Sequence, residues 1–192
     1  MSIDMPQQKS LKPIPHVEMV TEPLSVGDLN DLCDATEAAI EAGGGFGWVH
    51  LPNRGILERF WQGVLAMPVR MLFVARLDGV ICGSAQLIRP PKNNEAQSFA
   101  VTLSGLFISP WARGQGLSRR LLDYIEKTAL KEGFAVINLD LRETQTAAIQ
   151  LYESAGYVQI GTHPYYALID GKPVAGRYYF KVINPDKVDN HG

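Results

Sequence analysis

Cysteine is scarce in this sequence: Cys33 and Cys82 are the only two in 192 residues. They lie far apart, one in a predicted helix and one in a predicted strand, so they read as free buried thiols and not as a disulfide framework. Histidine is equally thin. His16, His50, His163 and His191 show neither helical nor paired-ligand spacing, and no metal site is expected from them. No stretch approaches the ~20 apolar residues of a membrane span, and no apolar run preceded by basic residues opens the chain, which leaves the cytoplasm as the expected location. The net charge of -2 gives no field to draw nucleic acid or an anionic membrane. Phosphates would have to be caught locally. The nucleotide P-loop is also missing, since no GxxxxGK followed by Ser or Thr occurs.

What remains is the balance of an ordinary globule, 46% hydrophobic and 20% charged. The length suits one domain that buries roughly two thirds of its unfolded surface. Residues 1–15 are polar and proline-punctuated and read as a flexible leader, 16–184 as a single domain, and 185–192 as a polar tail.

The organising stretch is Leu106 to Glu132, where an apolar strand breaks into Arg113-Gly114-Gln115-Gly116-Leu117-Ser118 and then into a helix. Two alternate glycines at such a junction let the backbone turn tightly and leave its N–H groups open. The first N–H groups of the helix have no internal partners and lie at its positive end, a natural seat for phosphate. Leu117, Leu121, Leu122, Ile125 and Ala129 form the apolar stripe, and Gly133 stops the helix. A dinucleotide loop would need a third glycine, absent here, although Asp140 lies at a passable distance for its ribose carboxylate. An ordinary loop before a helix is the plain alternative.

Taken in order, Val17–Val20 reads as a strand, a helix runs from about Ser25 to Ile40, and Gly43-Gly44-Gly45 breaks it. Phe46 and Trp48 follow on this glycine-rich segment, which is either a mobile connector or a loop lining an acceptor pocket. A second helix carries Ile56, Phe60, Trp61, Val64 and Leu65. Strands at Met71–Arg76 and Val80–Leu87 are joined by an Asp-Gly hairpin turn, and Ser98–Ile108 feeds the central turn. Phe134–Leu141 then makes a βαβ crossover with Ser98–Ile108 and should lie parallel to it. A short helix starts at Thr144 or Thr146 and ends at Gly156. The last strands are Tyr157–Ile160 and Tyr178–Ile183.

The turn Arg113–Ser118 resembles the signature of the GNAT superfamily of N-acetyltransferases: Gln or Arg, two residues, Gly, one residue, then Gly or Ala. It departs only at Ser118. Gln145–Tyr157 (QTAAIQLYESAGY) is similar to a second motif of that family through Ala148, Tyr152, Gly156 and Tyr157, with Gln145 where Asn is usual. The two motifs together cover residues 98–161. Gly43–Trp48, Leu139-Asp140 and the tyrosine-rich end resemble the tabtoxin-resistance type within the family.

The resemblance implies an α/β (α+β) protein with the GNAT fold, a mixed sheet of about six to seven strands and about four flanking helices. It implies an acetyl-CoA-dependent N-acetyltransferase. Arg113, Gly114, Gln115, Gly116, Leu117 and Ser118 would hold the pyrophosphate, backbone at Leu106, Phe107 and Ile108 would meet the thioester, and Gln145 would reach the cofactor. Tyr152 takes the general-acid position. The acceptor amine also needs a base, and Asp140 is the only carboxylate in Phe134–Leu141. Burial would raise its pKa towards that use; a structural aspartate, Glu95 or a water chain are the alternatives. Expected partners are a small-molecule amine, neither nucleic acid nor membrane, and at most a second copy of the chain, since a monomer or homodimer both fit. A binding module that senses acetyl-CoA without turnover is the other reading.

Overall fold

The alternation along Arg70–Leu77 decides the layering. In the computed structural model, which describes residues 12–44 and 46–188, Met71, Phe73, Ala75 and Leu77 enter one apolar core while Leu72 and Val74 enter another. A strand apolar on both faces needs cover on both sides. Helices supply it.

Seven strands form one sheet in the order β1-β2-β3-β4-β5-β7-β6. They are β1 (Pro15–Met19), β2 (Arg70–Leu77), β3 (Val80–Ile88), β4 (Ala100–Ile108), β5 (Val136–Arg142), β6 (Val158–Ile169) and β7 (Lys172–Val182). Every pairing is antiparallel except β4 with β5. Helices α1 (Val26–Glu41) and α2 (Arg54–Ala66) cover β2 and β3 on one face. Helices α3 (Leu117–Lys131) and α4 (Thr146–Ser154) pack with the other core, and a single helical turn, α5 (Pro185–Val188), follows β7.

Local signals explain the boundaries. The Ser25 hydroxyl accepts the amide of Asp28 and the Asn53 carboxamide accepts that of Ile56, each satisfying an otherwise orphaned donor of α1 or α2. All five stripe residues of α3 are buried. Removing an amphipathic stripe of this size from water is the main stabilisation of a surface helix, at about 25 cal/mol per Å². Between α1 and α2, the Trp61 indole donates to the Thr36 hydroxyl at 3.1 Å, which itself donates to the Leu32 carbonyl at 2.6 Å.

Three expectations change. The first strand begins at Pro15, inside the span assigned to the leader, because Pro15↔Leu77 opens its register on β2. Met1–Leu11, the bulk of that leader, and Asp189–Gly192 of the tail lie outside the described residues; Pro185–Val188 of the tail is helical. Residues 161–169, beyond the strand expected to end at Ile160, belong to the long edge strand β6. Its pairing with β7 slips between His163 and Ala167, where Pro164 cannot donate to the ladder.

Candidate active site

The site begins where a pairing ends. β4 and β5 are in register only at Ala100↔Val136, Val101↔Ile137 and Thr102↔Asn138. Beyond Thr102 the strands part, with β4 running on to Ile108 and β5 to Arg142. A bulge contributes to the divergence. Gly105 has φ 62°, and the β3–β4 register shifts between Ser84 and Gln86. One extra residue flips side-chain parity, so Val101 and Leu103 face one core, Phe107 the opposite one, and Ile108 the first again.

A cleft fills the gap. One part, about 530 Å³, is bounded by Gly43 and Gly44 at the end of α1, by Leu106, Phe107 and Ile108, and by Thr144–Ala148. It continues past Ile108, Arg113, Ser118, Ala147 and Leu151 into a second part of about 540 Å³ lined by Gly114, Gly116, Arg119, Gln150 and Ser154.

The turn at the mouth has the open form its sequence predicts. Gly114 and Gly116 have φ 79° and 69°, and a Cβ at either would point into open space. Gly116 caps α3 with no side-chain bond, and among the described residues nothing accepts the amides of Gly114 to Ser118. The Arg113 Nε–H donates to the Ile108 carbonyl at 3.2 Å, tying the turn to the end of β4. Unbonded amides at the positive end of a 15-residue helix suit an anion. These residues fit the diphosphate of a coenzyme A.

On the buried face of α4 sits Tyr152, 6% exposed, its ring edge-on to Tyr157 at 5.4 Å between centroids. Burial alone holds its phenol well above the ordinary value near 10. Gln145 is the N-cap residue of α4 and lines the cleft without making a capping bond.

Asp140 differs from expectation. Along β5 the odd positions Ile137, Leu139 and Leu141 are buried, whereas Asn138 and Asp140 project from the other face and are exposed. Asp140 is therefore not the buried carboxylate that the sequence suggested. Its carboxylate accepts a short hydrogen bond from the Tyr166 hydroxyl of β6. The Tyr166 ring lies so close over Gly176 of β7 that no Cβ would fit there. Burial, then the bond to Asp140, raises the Tyr166 pKa. The contact of Tyr166 with Asp140 was not legible in the sequence, because it depends on a slipped register that no periodicity announces.

Phe46 and Trp48 are packed rings. Phe46 meets Phe107 edge-on at 4.9 Å and Trp48 meets Phe60 at 5.0 Å, both against the α1–α2 core. The backbone of this segment, not its rings, faces the cleft, through Gly43 and Gly44. Arg142 fixes it there by donating to the carbonyls of Gly44 at 2.7 Å and Phe46 at 3.1 Å. Among the described residues no cluster of His, Cys, Asp and Glu is disposed to hold a metal ion.

Residues 43–157, which contain the turn, the parted strands and α4, match the sequence model of the Acetyltransferase (GNAT) family. The chain belongs to that family of acetyltransferases. It is 61% identical over 122 residues to an uncharacterised N-acetyltransferase in the hisH-hisA intergenic region of Azospirillum brasilense, covering 64% of this chain and 73% of that protein. It is 32% identical over 90 residues to the ribosomal protein bS18-alanine N-acetyltransferase of Escherichia coli, covering 42% of this chain and 61% of that protein. The GNAT fold recurs in the structure of yncA from Salmonella typhimurium with its cofactor acetyl-CoA, at a TM-score of 0.72 and 15% identity over 89% of this chain and 95% of that one. It recurs also in the ribosomal-protein-alanine N-acetyltransferase of Brucella melitensis, at 0.72 and 20% over 87% and 99%.

Proposed function

We propose that this protein moves the acetyl group of acetyl-CoA to the primary amine of a small molecule by direct attack in a ternary complex, within one domain spanning residues 16–184. The observation that carries this reading is the parting of β4 and β5 beside a turn whose amides are free. The amides of Gly114 to Ser118 receive the pyrophosphate, with Arg113 and Gln115 beside them. Gln145 meets the pantetheine arm. Backbone N–H groups from Leu106 to Ile108, released from the ladder with β5, meet the carbonyl oxygen as charge develops on it.

Tyr152 supplies the proton to the departing thiolate. Tyr152 stands one helical turn after Ala148, a wall of the cleft, and long helical side chains lean back towards the preceding turn, although Tyr152 itself is not among the cleft's lining residues. Its raised pKa keeps the phenol protonated at neutral pH, and since a thiol (about 8.5) is the stronger acid, the transfer is uphill and has to be coupled to departure of the thiolate. Asp140 takes the proton of the incoming amine from the open face of the sheet, steadied by Tyr166. Phe46 and Trp48 act at one remove, holding the Gly43–Gly44 edge of the acceptor side. Burial pushes the thiols of Cys33 and Cys82 up to about 11, so neither offers a thiolate for an acyl-enzyme, which favours direct transfer. Two free thiols also suit a cytoplasmic protein. No helix among the described residues is long and apolar enough to cross a membrane.

Release of free thiol from acetyl-CoA in the presence of an amine panel tests the reading. Amine-dependent thiol supports it. Tight binding of acetyl-CoA with no thiol released by any amine would instead mark a sensor.

A further inference from the structure

Among the described residues, no helix covers one face of the sheet over half its width. Helices α1 and α2 shield β2 and β3 but not β5, β7 or the first half of β4. On that face β4 presents Thr102 and Ser104, β5 presents Asn138 and Asp140, and β7 presents Tyr178 and Phe180, opposite Asp140 and Asn138 in the register. A sheet with a parallel pair is normally covered on both sides. Here the β4–β5 part of the strip is polar and is flanked by Tyr178 and Phe180, and the side chains of Thr102, Ser104 and Asn138 make no hydrogen bond among the described residues.

This strip runs from the cleft to another cavity. At its far end a hollow of about 380 Å³ is lined by Pro90, Pro91, Phe99, Gln97, Thr102 and Asn138. Its walls are mixed: Pro90, Pro91 and Phe99 are apolar, and the polar groups are uncharged amides and a hydroxyl, apart from Arg89. That guanidinium is already engaged by Glu132 at 2.7 Å and lies over the Phe134 ring. The Gln97 amide oxygen accepts from Asn94 at 2.8 Å, which leaves its N–H groups to donate.

We infer that this hollow is a distal subsite for the acetyl acceptor, selecting an elongated amine whose far end carries a neutral amide group. The inference rests on the acceptor approaching Asp140 from the open face, as in the proposed function. The spacing follows from the strand. At a rise of about 3.3 Å per residue, Asn138 lies about 7 Å and the hollow's far wall at Val136 about 13 Å from Asp140. An amide about 7 to 13 Å from the reacting nitrogen therefore reaches the unpartnered carboxamide of Asn138 and hydroxyl of Thr102. A carboxamide can donate to and accept from another amide at once. An ion would find no free counter-charge there.

The test measures binding of mono-N-acetylated α,ω-diamines with two to eight methylenes, by calorimetry on the whole protein saturated with coenzyme A, beside simple alkylamines of matched length. The diamine derivatives should tighten with length until the amide reaches Asn138, at about six to eight methylenes, and there exceed the matched alkylamines by about tenfold, the worth of roughly one well-made hydrogen bond. Asn138→Ala should abolish that excess and leave the two-methylene compound unchanged. Asn138→Gln keeps the amide and should retain part of the excess. Equal affinity for acetamides and alkylamines at every length, or an excess that survives Asn138→Ala, would overturn the subsite. Thiol release is read separately: activity without a length optimum removes the subsite alone, whereas no thiol with any amine removes the proposed function.

Discussion

Thr102 and Asn138 face each other as the last matched pair of β4 and β5. Below them the strands are an ordinary parallel ladder, and above them the main chain is freed to meet a ligand. That single boundary divides the sheet into a scaffold half and a working half.

Gly116 lies in the turn proposed to receive the pyrophosphate. Its φ of 69° favours glycine, and the space around its missing Cβ is open. Gly116→Val should reduce stability by about 1–2 kcal/mol through backbone strain. It should also weaken acetyl-CoA binding at least tenfold, because the branched side chain stands where phosphate must approach. Calorimetry and thermal melts separate the two effects; equal affinity would count against the pyrophosphate role.

Removing the hydroxyl of Tyr152 tests the acid. Tyr152→Phe should lower turnover by about 10²-fold and leave acetyl-CoA affinity unchanged. The raised pKa keeps this phenol protonated through the usual phenol range. Any loss of activity on the alkaline side below about pH 10 should therefore persist in a pH profile of the variant.

Gly176 holds Tyr166 in place by lacking a Cβ. Gly176→Ala should push the ring off Asp140 and cut turnover while acetyl-CoA affinity stays constant. Tyr166→Phe should reproduce the loss without the strain. A Gly176→Ala enzyme with full turnover would remove the Tyr166–Asp140 pair from the chemistry.

Acid stability has a local origin at Arg76, which donates to Glu18 at 2.7 Å and to Asp28 at 2.6 Å. The Arg76 hydrogen bond holds Asp28 below its usual 3.8. A depressed carboxylate contributes stability above its unfolded pKa and loses it as pH falls through the folded value. Asp28→Asn should thus be less stable at neutral pH and show a flatter decline below about pH 4 in urea titrations.

Much of this was legible beforehand, and the reason is periodicity. The stripe Leu117–Ala129 fixed α3, the break at Gly133 fixed its end, and a strand on either side made β4 and β5 parallel neighbours. The glycines at 114 and 116 marked the turn because few other residues take such angles. Asp140 was legible and misplaced: the alternation of Asn138 and Asp140 with Ile137, Leu139 and Leu141 is itself a period of two, which puts it on the face opposite the buried leucines. What periodicity does not encode was not visible. Phe46 and Trp48 lie in a glycine-rich segment that resembles an open loop, but Phe107, turned by the bulge at Gly105, gives them a surface to pack on. The strand expected to end at Ile160 runs on through Gly161 and Pro164 to Ile169, because an edge strand with a slipped register accommodates both.

The account stands or falls on where coenzyme A touches the main chain. Amide chemical shifts recorded by nuclear magnetic resonance as coenzyme A is added should move most at Gly114 to Ser118 and at Leu106 to Ile108, with β1 and α2 nearly still. Binding that shifts other amides and leaves those two segments unmoved would contradict it.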